Sequence, residues 1–511
     1  MSEKKSILNS VKIVILTLLI VKLIGFVKQA VIAAYFGTSG EIDKFLLVSE
    51  TMEHLGAAVY SAIAITFLTI YTETLFKEGR IESNRFISNT FWLIFPIIVI
   101  LTMVFIFFSD QIAYIIAPGY NSEDSEIVSK YIKLFSLTLI NMFIYYVCNA
   151  VLEAEKMFFP GKFVGVIRSF CTIIAIVTLS KTLGIDAMMI GIIAYYILES
   201  IFILTCIVKK TRFHPNRPTQ DKRVKYLLKI SAPLLVSNGI LQIQGIVDKA
   251  VASTLPVGGV STLSYSGYLF NTTHSILIGG LCTVIFSYFT SYVTEKREEL
   301  LIKTIYKYIR LSTLVLTLIT ILFVGYSSDI VKIVYERGAF NANATQNVSL
   351  AFCAYSIGLV FLGIRDIIIR VHYAYKNNKQ AMINGIIGVI INSIGSILLS
   401  RFWGVIGIAL GTTISYVFIA IISCRTIKTN IGEFRITKLW GFFVKVVMVS
   451  ILVIIVVLLN NRLINLNITV VNLIIKVVIT TFIYFFSLIL LRIEETSKIK
   501  MLFGNKIGIK F

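Results

Sequence analysis

The chain has 511 residues, of which 57% are apolar, and its mean hydropathy is +0.85. A soluble globular protein of this size needs a more polar surface than this composition provides. The net charge of +21 does not indicate nucleic-acid binding, because most lysines and arginines fall in alternate loops between apolar segments. The composition therefore predicts a polytopic membrane protein with no nucleic-acid partner.

The first apolar segment is unusual because it carries two lysines, Lys22 and Lys28. Placing a charge at membrane depth costs about 3 kcal/mol or more, so such a residue usually faces a polar cavity or a partner. The two lysines are six residues apart, which puts them on different faces of a helix. Snorkelling to the headgroups is the alternative. The segment favours a cavity that receives an anion.

Apolar runs of about 20 residues, each enough to cross a bilayer, recur along the whole chain. The pattern predicts an all-α membrane protein with fourteen transmembrane spans. These spans are 11–36, 44–76, 86–108, 127–152, 160–180, 185–208, 226–253, 260–293, 301–325, 345–374, 380–400, 404–426, 436–459 and 469–491. Lysine and arginine are roughly threefold more frequent in loops on the side of the N-terminus, which predicts that both termini are cytoplasmic.

A basic, proline-containing loop follows the sixth span and indicates a division of the chain into two halves. The sequences around Gln29 and Lys249 are similar, and each lies at the end of the first span of its half. Such repeats are common in transporters, whose binding site lies between the halves. The predicted domains are an N-lobe (1–208, spans one to six), a cytoplasmic linker (209–225), a C-lobe (226–428, spans seven to twelve) and the last two spans with a cytoplasmic tail (429–511).

Span two contains three polar residues, Glu50, Glu53 and His54, at positions i, i+3 and i+4 on one helix face. They suit either the wall of a polar cavity or a structural partner set for the lysines of span one. In its interior, span six has one acid, Glu199, while Asp186 lies at its edge. A solitary charge in a span is a candidate functional residue.

Further charges lie in spans seven and ten. Span seven contains Asp248 and Lys249, and span ten contains Arg365, Asp366 and Arg370. Asp366 and Arg370 are i, i+4 and can pair, which leaves Arg365 free to face the cavity unless it snorkels to the inner surface. Basic groups in such a cavity suit a phosphate or diphosphate, which arginine binds bidentately and lysine binds as a point charge.

No sequence signature indicates catalysis. The chain contains no phosphate-binding loop, no His-Glu-x-x-His and no Gly-x-Ser-x-Gly. The six cysteines are scattered through apolar segments without disulfide or zinc spacing. We therefore expect a protein that is not an enzyme and that draws its energy from an ion gradient, the membrane potential or the gradient of its substrate.

Three motifs resemble those of the MviN/MurJ family of lipid II flippases. Gly25-Phe-Val-Lys28 with Ala33-Ala-Tyr-Phe-Gly37 and Asp43 is similar to the opening motif of the family. The stretch 246–261 looks like its seventh span and following loop, and Tyr335-Glu-Arg-Gly-Ala-Phe340 is similar to its signature before span ten. The resemblance runs from about residue 10 to 428, with each motif at the expected span.

The resemblance implies the fold of the multidrug/oligosaccharidyl-lipid/polysaccharide exporters, with two six-helix lobes around a central cavity and two extra C-terminal helices. It also implies alternating access that moves a lipid-linked glycan with a diphosphate headgroup to the outer leaflet of the bacterial plasma membrane, by a chain expected to act as a monomer. The candidate substrate-binding residues are Lys22, Lys28, Asp43, Glu50, Glu53, Lys249 and Arg365. A sodium site of some members corresponds to Asp248, Asn392, Ser396 and Thr412, so Na+ is a candidate coupling ion.

The chain also departs from the family pattern at several cavity positions. The Arg-Asp of the opening motif is Lys28-Gln29, the span-two arginine pair is Gly56-Ala57, and Ala-Asp-Arg of span eight is Ser266-Gly267-Tyr268. These changes leave transport of a lipid-linked glycan as the expected function, with lipid II, the undecaprenyl-diphosphate-linked peptidoglycan precursor, as the leading substrate. The alternatives are a flippase for a capsular or exopolysaccharide repeat unit, a membrane glycan polymerase or ligase, and a drug exporter.

Overall fold

The computed structural model describes residues 2–213, 216, 219–432, 434–464, 468–493 and 495, with side chains omitted for 2–16 and 237. The described residues form helices joined by short loops, and they contain no β-strand. The predicted all-α class is therefore confirmed. Part of the predicted linker (214, 215, 217 and 218) and most of the predicted tail (494 and 496–511) lie outside the described residues.

The helices begin and end at residues that the apolar pattern only approximates. In the part of the chain that the structure describes, the α-helices are α1 (Ser2–Phe36), α2 (Gly40–Lys77), α3 (Gly79–Phe107), α4 (Ser109–Ile116), α5 (Ser122–Ser136), α6 (Thr138–Ala154), α7 (Phe158–Leu183), α8 (Asp186–Thr211), α9 (Lys222–Ser253), α10 (Gly259–His274), α11 (Gly280–Thr294), α12 (Glu298–Gly325), α13 (Ser327–Tyr335), α14 (Ala342–Ile357), α15 (Leu359–Ala374), α16 (Asn378–Thr426), α17 (Trp440–Leu463) and α18 (Thr469–Leu490). A π-helical turn, Ser275–Gly279, joins α10 to α11.

Eleven helical segments among the described residues are long and apolar enough to cross a membrane, or thirteen if each of two bent pairs counts as one span. One of the eleven contains α16, whose backbone leaves the helical region at Gly404 (φ 55°, ψ −132°). The arms on either side of Gly404 pack against each other, since Ser415 Oγ donates to the Gly388 carbonyl at 2.8 Å. The count of fourteen stays a prediction.

One predicted span is bent and two predicted outer loops contain helices. Span ten is divided into α14 and α15, which are bent by 42° at Gly358. Thr413 Oγ1 donates to the Ala354 carbonyl at 2.7 Å and gives this oxygen a partner from another helix next to the bend. The short helices α4 and α13 form where an apolar stripe is buried, as at Val331 and Tyr335 of α13.

The ends of α1 and α2 are fixed by local chemistry. Gly37 has a positive φ of 57°, and a Cβ there would lie 2.5 Å from the carbonyl oxygen of Ala339. Ser39 is the N-cap of α2, and its side chain accepts a hydrogen bond from the amide of Ile42 at 3.4 Å. The chain thus turns between Gly37 and Gly40, directly after the predicted end of the first span at residue 36.

By compactness the chain divides into two units. Unit 1 comprises residues 1–261 and 337–341, and unit 2 comprises 262–336 and 342–511. In unit 1, α2 packs on α9 and α6, and α1 packs on α7, which in turn packs on α8. In unit 2, α15 packs on α12 and α16, and α17 packs on α18 and α12. This division assigns the seventh predicted span to unit 1, whereas the predicted lobes and linker remain a prediction.

Candidate functional site

A cavity of about 120 Å³ lies inside unit 1 among the helices that carry the predicted charged residues. Its wall combines aromatic and aliphatic side chains with a small set of polar groups, the composition typical of ligand-binding sites. The residues that line it are Lys28, Gln29, Ile32, Phe45, Leu46, Ser49, Glu50, Met52, Glu53, Phe135, Thr138, Thr172, Met188, Ile192, Tyr195 and Tyr196. Lys28 lines this cavity, and the role in anion binding that the sequence assigns to it stays a prediction.

Lys28 projects from α1 into the wall of this cavity and is partly buried. In the described part of the chain it has no carboxylate within 4.0 Å. The next residue, Gln29, has a buried side-chain oxygen without a hydrogen-bond partner among the same residues. A partly buried lysine that forms no close ion pair is a position where a bound anion is favoured.

Lys22 lies on another face of α1, as the six-residue spacing predicts. It is partly buried and, within the described ranges, forms no ion pair. It does not line the cavity that contains Lys28. Its predicted contact with a substrate remains a prediction.

The strongest ionic cluster beside the cavity is centred on Arg168 of α7, a residue that the sequence analysis did not single out. Its guanidinium binds Glu199 of α8 through two hydrogen bonds, from Nε at 3.1 Å and from Nη2 at 3.0 Å. The remaining nitrogen, Nη1, lies 3.6 Å from a carboxylate oxygen of Glu53 on α2. Glu199 is therefore not solitary, because its carboxylate is paired with Arg168 of the preceding helix.

Three tyrosine rings surround the same guanidinium. Its central carbon lies 5.4 Å from the ring centres of Tyr145 and Tyr195 and 5.7 Å from that of Tyr196. Cation–π contacts of this kind favour arginine, and the bidentate pairing with Glu199 fixes the plane of its fork. The Arg168 side chain is consequently held from both α6 and α8.

The three polar residues of span two have different partners. Glu50 forms an ion pair with Lys249 of α9 at 2.7 Å, and His54 Nδ1 lies 2.7 Å from the side-chain oxygen of Gln242. Glu53 instead faces Arg168. Of the two alternatives, the cavity wall fits Glu50 and Glu53, which both line the cavity, and neither glutamate forms an ion pair with Lys22 or Lys28 among the described residues.

Asp43 lies at the first turn of α2 and is 3% exposed. Its two carboxylate oxygens accept hydrogen bonds from the backbone amides of Gly258 at 2.7 Å and Ser261 at 2.8 Å. These amides lie at the start of α10, where the helix dipole and the free N–H groups favour a negative charge. In this structure Asp43 acts as a cap for α10, and its predicted contact with the substrate stays untested.

In unit 2 the predicted pairing within span ten is wrong. Arg365 binds its neighbour Asp366, with Nε 2.9 Å from a carboxylate oxygen, and the other oxygen of Asp366 lies 2.9 Å from His274 Nε2. Arg365 is therefore not free in this structure. Helical spacing predicted a pair between Asp366 and Arg370. In the structure the Asp366 carboxylate is instead bound by the side chain of its neighbour Arg365.

Three of the four predicted sodium ligands lie together in the folded-back helix α16. Asn392, Ser396 and Thr412 are each at most 3% exposed, and Asn392 Nδ2 donates to Thr412 Oγ1 at 2.9 Å. Asn392 Oδ1 is buried and has no hydrogen-bond partner among the residues that the structure describes. The fourth predicted ligand, Asp248, is buried in unit 1 at 7% exposure.

Solved transporter structures share this fold. An inward-facing multidrug resistance MATE family transporter of the MOP superfamily superposes with a TM-score of 0.66 and 14% identity, covering 80% of this chain and 98% of that one. The chain thus has the fold of the MOP class of membrane transporters. A lipid II flippase MurJ structure in an inward closed conformation superposes with a TM-score of 0.80 and 22% identity, covering 92% of this chain and 97% of that one.

A family model for Lipid II flippase MurJ matches residues 32–479, and the chain belongs to this family. A probable lipid II flippase MurJ of Rickettsia prowazekii is 24% identical over 412 residues, covering 78% of this chain and 79% of the relative. A counterpart from Treponema pallidum is 23% identical over 480 residues and covers 88% of both chains. Lipid II flippase MurJ of Thermosipho africanus is 25% identical over 419 residues, covering 80% of this chain and 83% of the relative. The resemblance seen in the sequence motifs is confirmed.

Proposed function

We propose that this chain is a flippase that moves lipid II, a polyprenyl-diphosphate-linked peptidoglycan precursor, across the plasma membrane by alternating access. The observation that carries the proposal is the family match over residues 32–479, because it includes most of the helices described above. The family consists of transporters, so no chemical reaction is assigned to the chain and it is not an enzyme.

The cavity in unit 1 supplies the chemistry for the anionic part of such a substrate. Lys28 is a cation without a carboxylate within 4.0 Å among the described residues. A diphosphate approaching Lys28 gains a charge-assisted hydrogen bond without first breaking an internal ion pair. Lys22 is our second candidate contact. Glu50, Glu53, Lys249 and Arg365 are engaged in internal pairs and act on the substrate through the shape and charge of their surroundings.

The location and orientation belong to the same proposal. The chain is a membrane protein, with eleven or more apolar helices among the described residues. We place it in the bacterial inner membrane with both termini in the cytoplasm, because basic residues are concentrated in the loops on the side of the N-terminus. We propose that it acts as a monomer, and the measured mass of the detergent-purified protein tests this assignment.

Sodium is our candidate coupling ion, with Asn392, Ser396 and Thr412 of unit 2 as its proposed ligands, and the predicted contribution of Asp248 stays a prediction. Oxygen ligands suit hard cations such as Na+, and a buried amide oxygen without a hydrogen-bond partner is costly unless something binds it. Asn392 Oδ1 meets that description. If the assignment is correct, replacing Na+ by K+ slows transport by the unaltered protein and has no further effect on Asn392→Ala. Equal rates of the unaltered protein in both salts would contradict it.

A flippase for a capsular or exopolysaccharide repeat unit is the second candidate, and the packing around Gly56 favours it. This position carries an arginine in the family pattern, but here a Cβ on Gly56 would lie 2.4 Å from the terminal methyl carbon of Met142. The space for a basic side chain is therefore filled by a neighbouring apolar one. A cavity with fewer cations is suited to a headgroup with a different glycan.

Depletion of the flippase of a host bacterium tests the proposal. Expression of this chain is expected to restore growth and the appearance of lipid II in the outer leaflet. Lys28→Ala should abolish this rescue at an unchanged membrane level. The matched control is Lys77→Ala, which removes an exposed lysine paired with Glu73 and should rescue normally. Failure of the unaltered chain at good membrane expression would contradict lipid II as substrate and favour the exopolysaccharide unit.

A further inference from the structure

The charges around the cavity of unit 1 form an arrangement whose purpose the family match does not assign. Two cations, Lys28 and Arg168, lie close to two carboxylates, Glu53 and Glu199. Arg168 engages both carboxylates, whereas Lys28 engages neither within 4.0 Å. The acid Glu50 is engaged by Lys249 at 2.7 Å. Lys28 is thus the cation of this group that forms no ion pair within 4.0 Å with these acids.

Glu53 is the carboxylate that lies near two cations, Arg168 and Lys28. Its side chain is 58% exposed, and it lines the same cavity as Lys28. It is also close enough to interact electrostatically with the Lys28 ammonium group. A flexible glutamate between two cations moves toward the one that holds it more firmly. In this structure Glu53 lies on the Arg168 side.

The position of Arg168 is fixed independently of Glu53. Its Nε and Nη2 are bound by Glu199, whose side chain is 1% exposed. Tyr145 of α6 and Tyr195 and Tyr196 of α8 enclose the guanidinium. These contacts leave Nη1 as the nitrogen directed to Glu53. A lysine could not reproduce this arrangement, because it has no planar fork with separate donors for two acids.

We propose that Arg168 is a positioning residue that draws Glu53 away from Lys28 and so keeps Lys28 available for the diphosphate of the substrate. The inference rests on the proposed function and extends it from the binding residue to the group that keeps this residue unpaired. Without Arg168, Glu53 pairs with Lys28 and competes with the substrate. If the competing pair forms in about nine-tenths of the molecules, the apparent affinity for the diphosphate falls about tenfold.

The first test removes the buried pair as a unit, because Arg168→Gln by itself would leave Glu199 buried without its partner. The double variant Arg168→Gln, Glu199→Gln is expected to bind undecaprenyl diphosphate about tenfold more weakly in detergent and to flip lipid II correspondingly slowly. Adding Glu53→Gln removes the competitor and should restore binding to within about threefold of the unaltered protein. A purely structural role for Arg168 predicts no recovery, since the third substitution rebuilds none of the lost contacts.

A matched carboxylate and a conservative variant complete the design. Adding Glu50→Gln in place of Glu53→Gln should restore nothing, because Glu50 is paired with Lys249. Arg168→Lys keeps a charge beside Glu199 but loses the donor directed to Glu53, so its binding should weaken and recover with Glu53→Gln. The proposal is overturned if the double variant and Arg168→Lys both bind normally, or if Glu53→Gln improves neither. Lys28→Ala with unchanged binding would instead overturn the proposed function.

Discussion

Two lysines among the membrane-spanning helices, Lys28 in unit 1 and Lys476 in unit 2, have opposite surroundings. The Lys476 side chain is 7% exposed, lies 3.2 Å from Asp329 and is 5.8 Å above the ring centre of Tyr326. Lys28 has no such carboxylate within 4.0 Å in the described part of the chain. A buried charge with an internal partner contributes to structure, whereas one without a partner is retained for a ligand.

The surroundings of Lys476 continue as a polar network between α17 and α18. Tyr326 Oη and Thr480 Oγ1 are 2.7 Å apart, and Asn460 donates to both of them, at 3.1 Å and 3.2 Å. Tyr484 Oη donates to the carbonyl of Leu314 on α12 at 2.7 Å. The two helices that the sequence places outside the repeat are therefore held on unit 2 by hydrogen bonds as well as by apolar packing.

The largest expected effect separates the two lysines by their methionine variants. Lys476→Met leaves Asp329 without its cation, and we expect a loss of about 2–3 kcal/mol in the free energy of unfolding, since Asp329 is partly exposed. Lys28→Met should leave stability unchanged or higher and abolish transport. Thermal unfolding in detergent and transport per folded molecule measure both quantities.

Lys476→Met with Asp329→Leu is the control, because removing both charges as a pair is much less costly than removing one. This double variant should regain most of the lost stability. The comparison fails if Lys476→Met unfolds at the same temperature as the unaltered protein, or if Lys28→Met is the less stable of the two.

The positions of the spans follow from the sequence because apolar runs of bilayer length and basic loops are local properties of the chain. The bend at Gly358 does not follow, since it accompanies a hydrogen bond from Thr413 of another helix. The partners of Glu50 and Glu53 escape prediction for the same reason. Helical spacing shows which residues share a face and says nothing about which helix that face meets.

Arg168 could have been found from the sequence. It lies about eight residues from the cytoplasmic start of predicted span five, and Glu199 lies about nine residues from the cytoplasmic end of span six, so the two are at similar depth. Opposite charges at one depth in the interiors of consecutive antiparallel spans are candidates for a pair. The tyrosine cage and the contact with Glu53 depend on tertiary packing and could not be read from this spacing.

A second prediction concerns Asp43, which we expect to stabilise the fold, as we expect of Lys476, and not to contact the substrate, as we propose for Lys28. Asp43→Asn removes the charge and one of the two acceptors at the start of α10, so we expect a loss of about 1–2 kcal/mol in unfolding free energy. Binding of undecaprenyl diphosphate should not change. Glu41→Gln, at an exposed acid in the same turn of α2, is the control and should alter neither quantity. Weakened binding at full stability would place Asp43 with Lys28 as a substrate contact.

The smallest expected effect concerns Asp221, an internally paired acid at the N-terminus of α9 in unit 1. Burial opposes ionisation of Asp221, but hydrogen bonds from Arg223 at 2.9 Å and Asn89 at 3.1 Å outweigh it and lower the pKa of this carboxyl below its usual value. A carboxyl whose pKa is lower in the folded state stabilises the fold above about pH 4 and loses this contribution as the pH falls through the folded pKa.

Asp221→Asn should therefore lower the unfolding free energy at pH 7 by less than about 1 kcal/mol, and the difference from the unaltered protein should close as the pH falls below about 4. Melting temperatures between pH 7 and pH 3 measure this difference. Asp186→Asn is the control, because this more exposed acid lies 3.5 Å from an exposed lysine, Lys130, and should give little difference at either pH. If the difference for Asp221→Asn stayed constant with pH, the stabilising effect of Asp221 would come from its packing and not from its charge. The site of Asp221 would then differ from the network around Lys476, where we expect the ion pair between Lys476 and Asp329 to stabilise the fold.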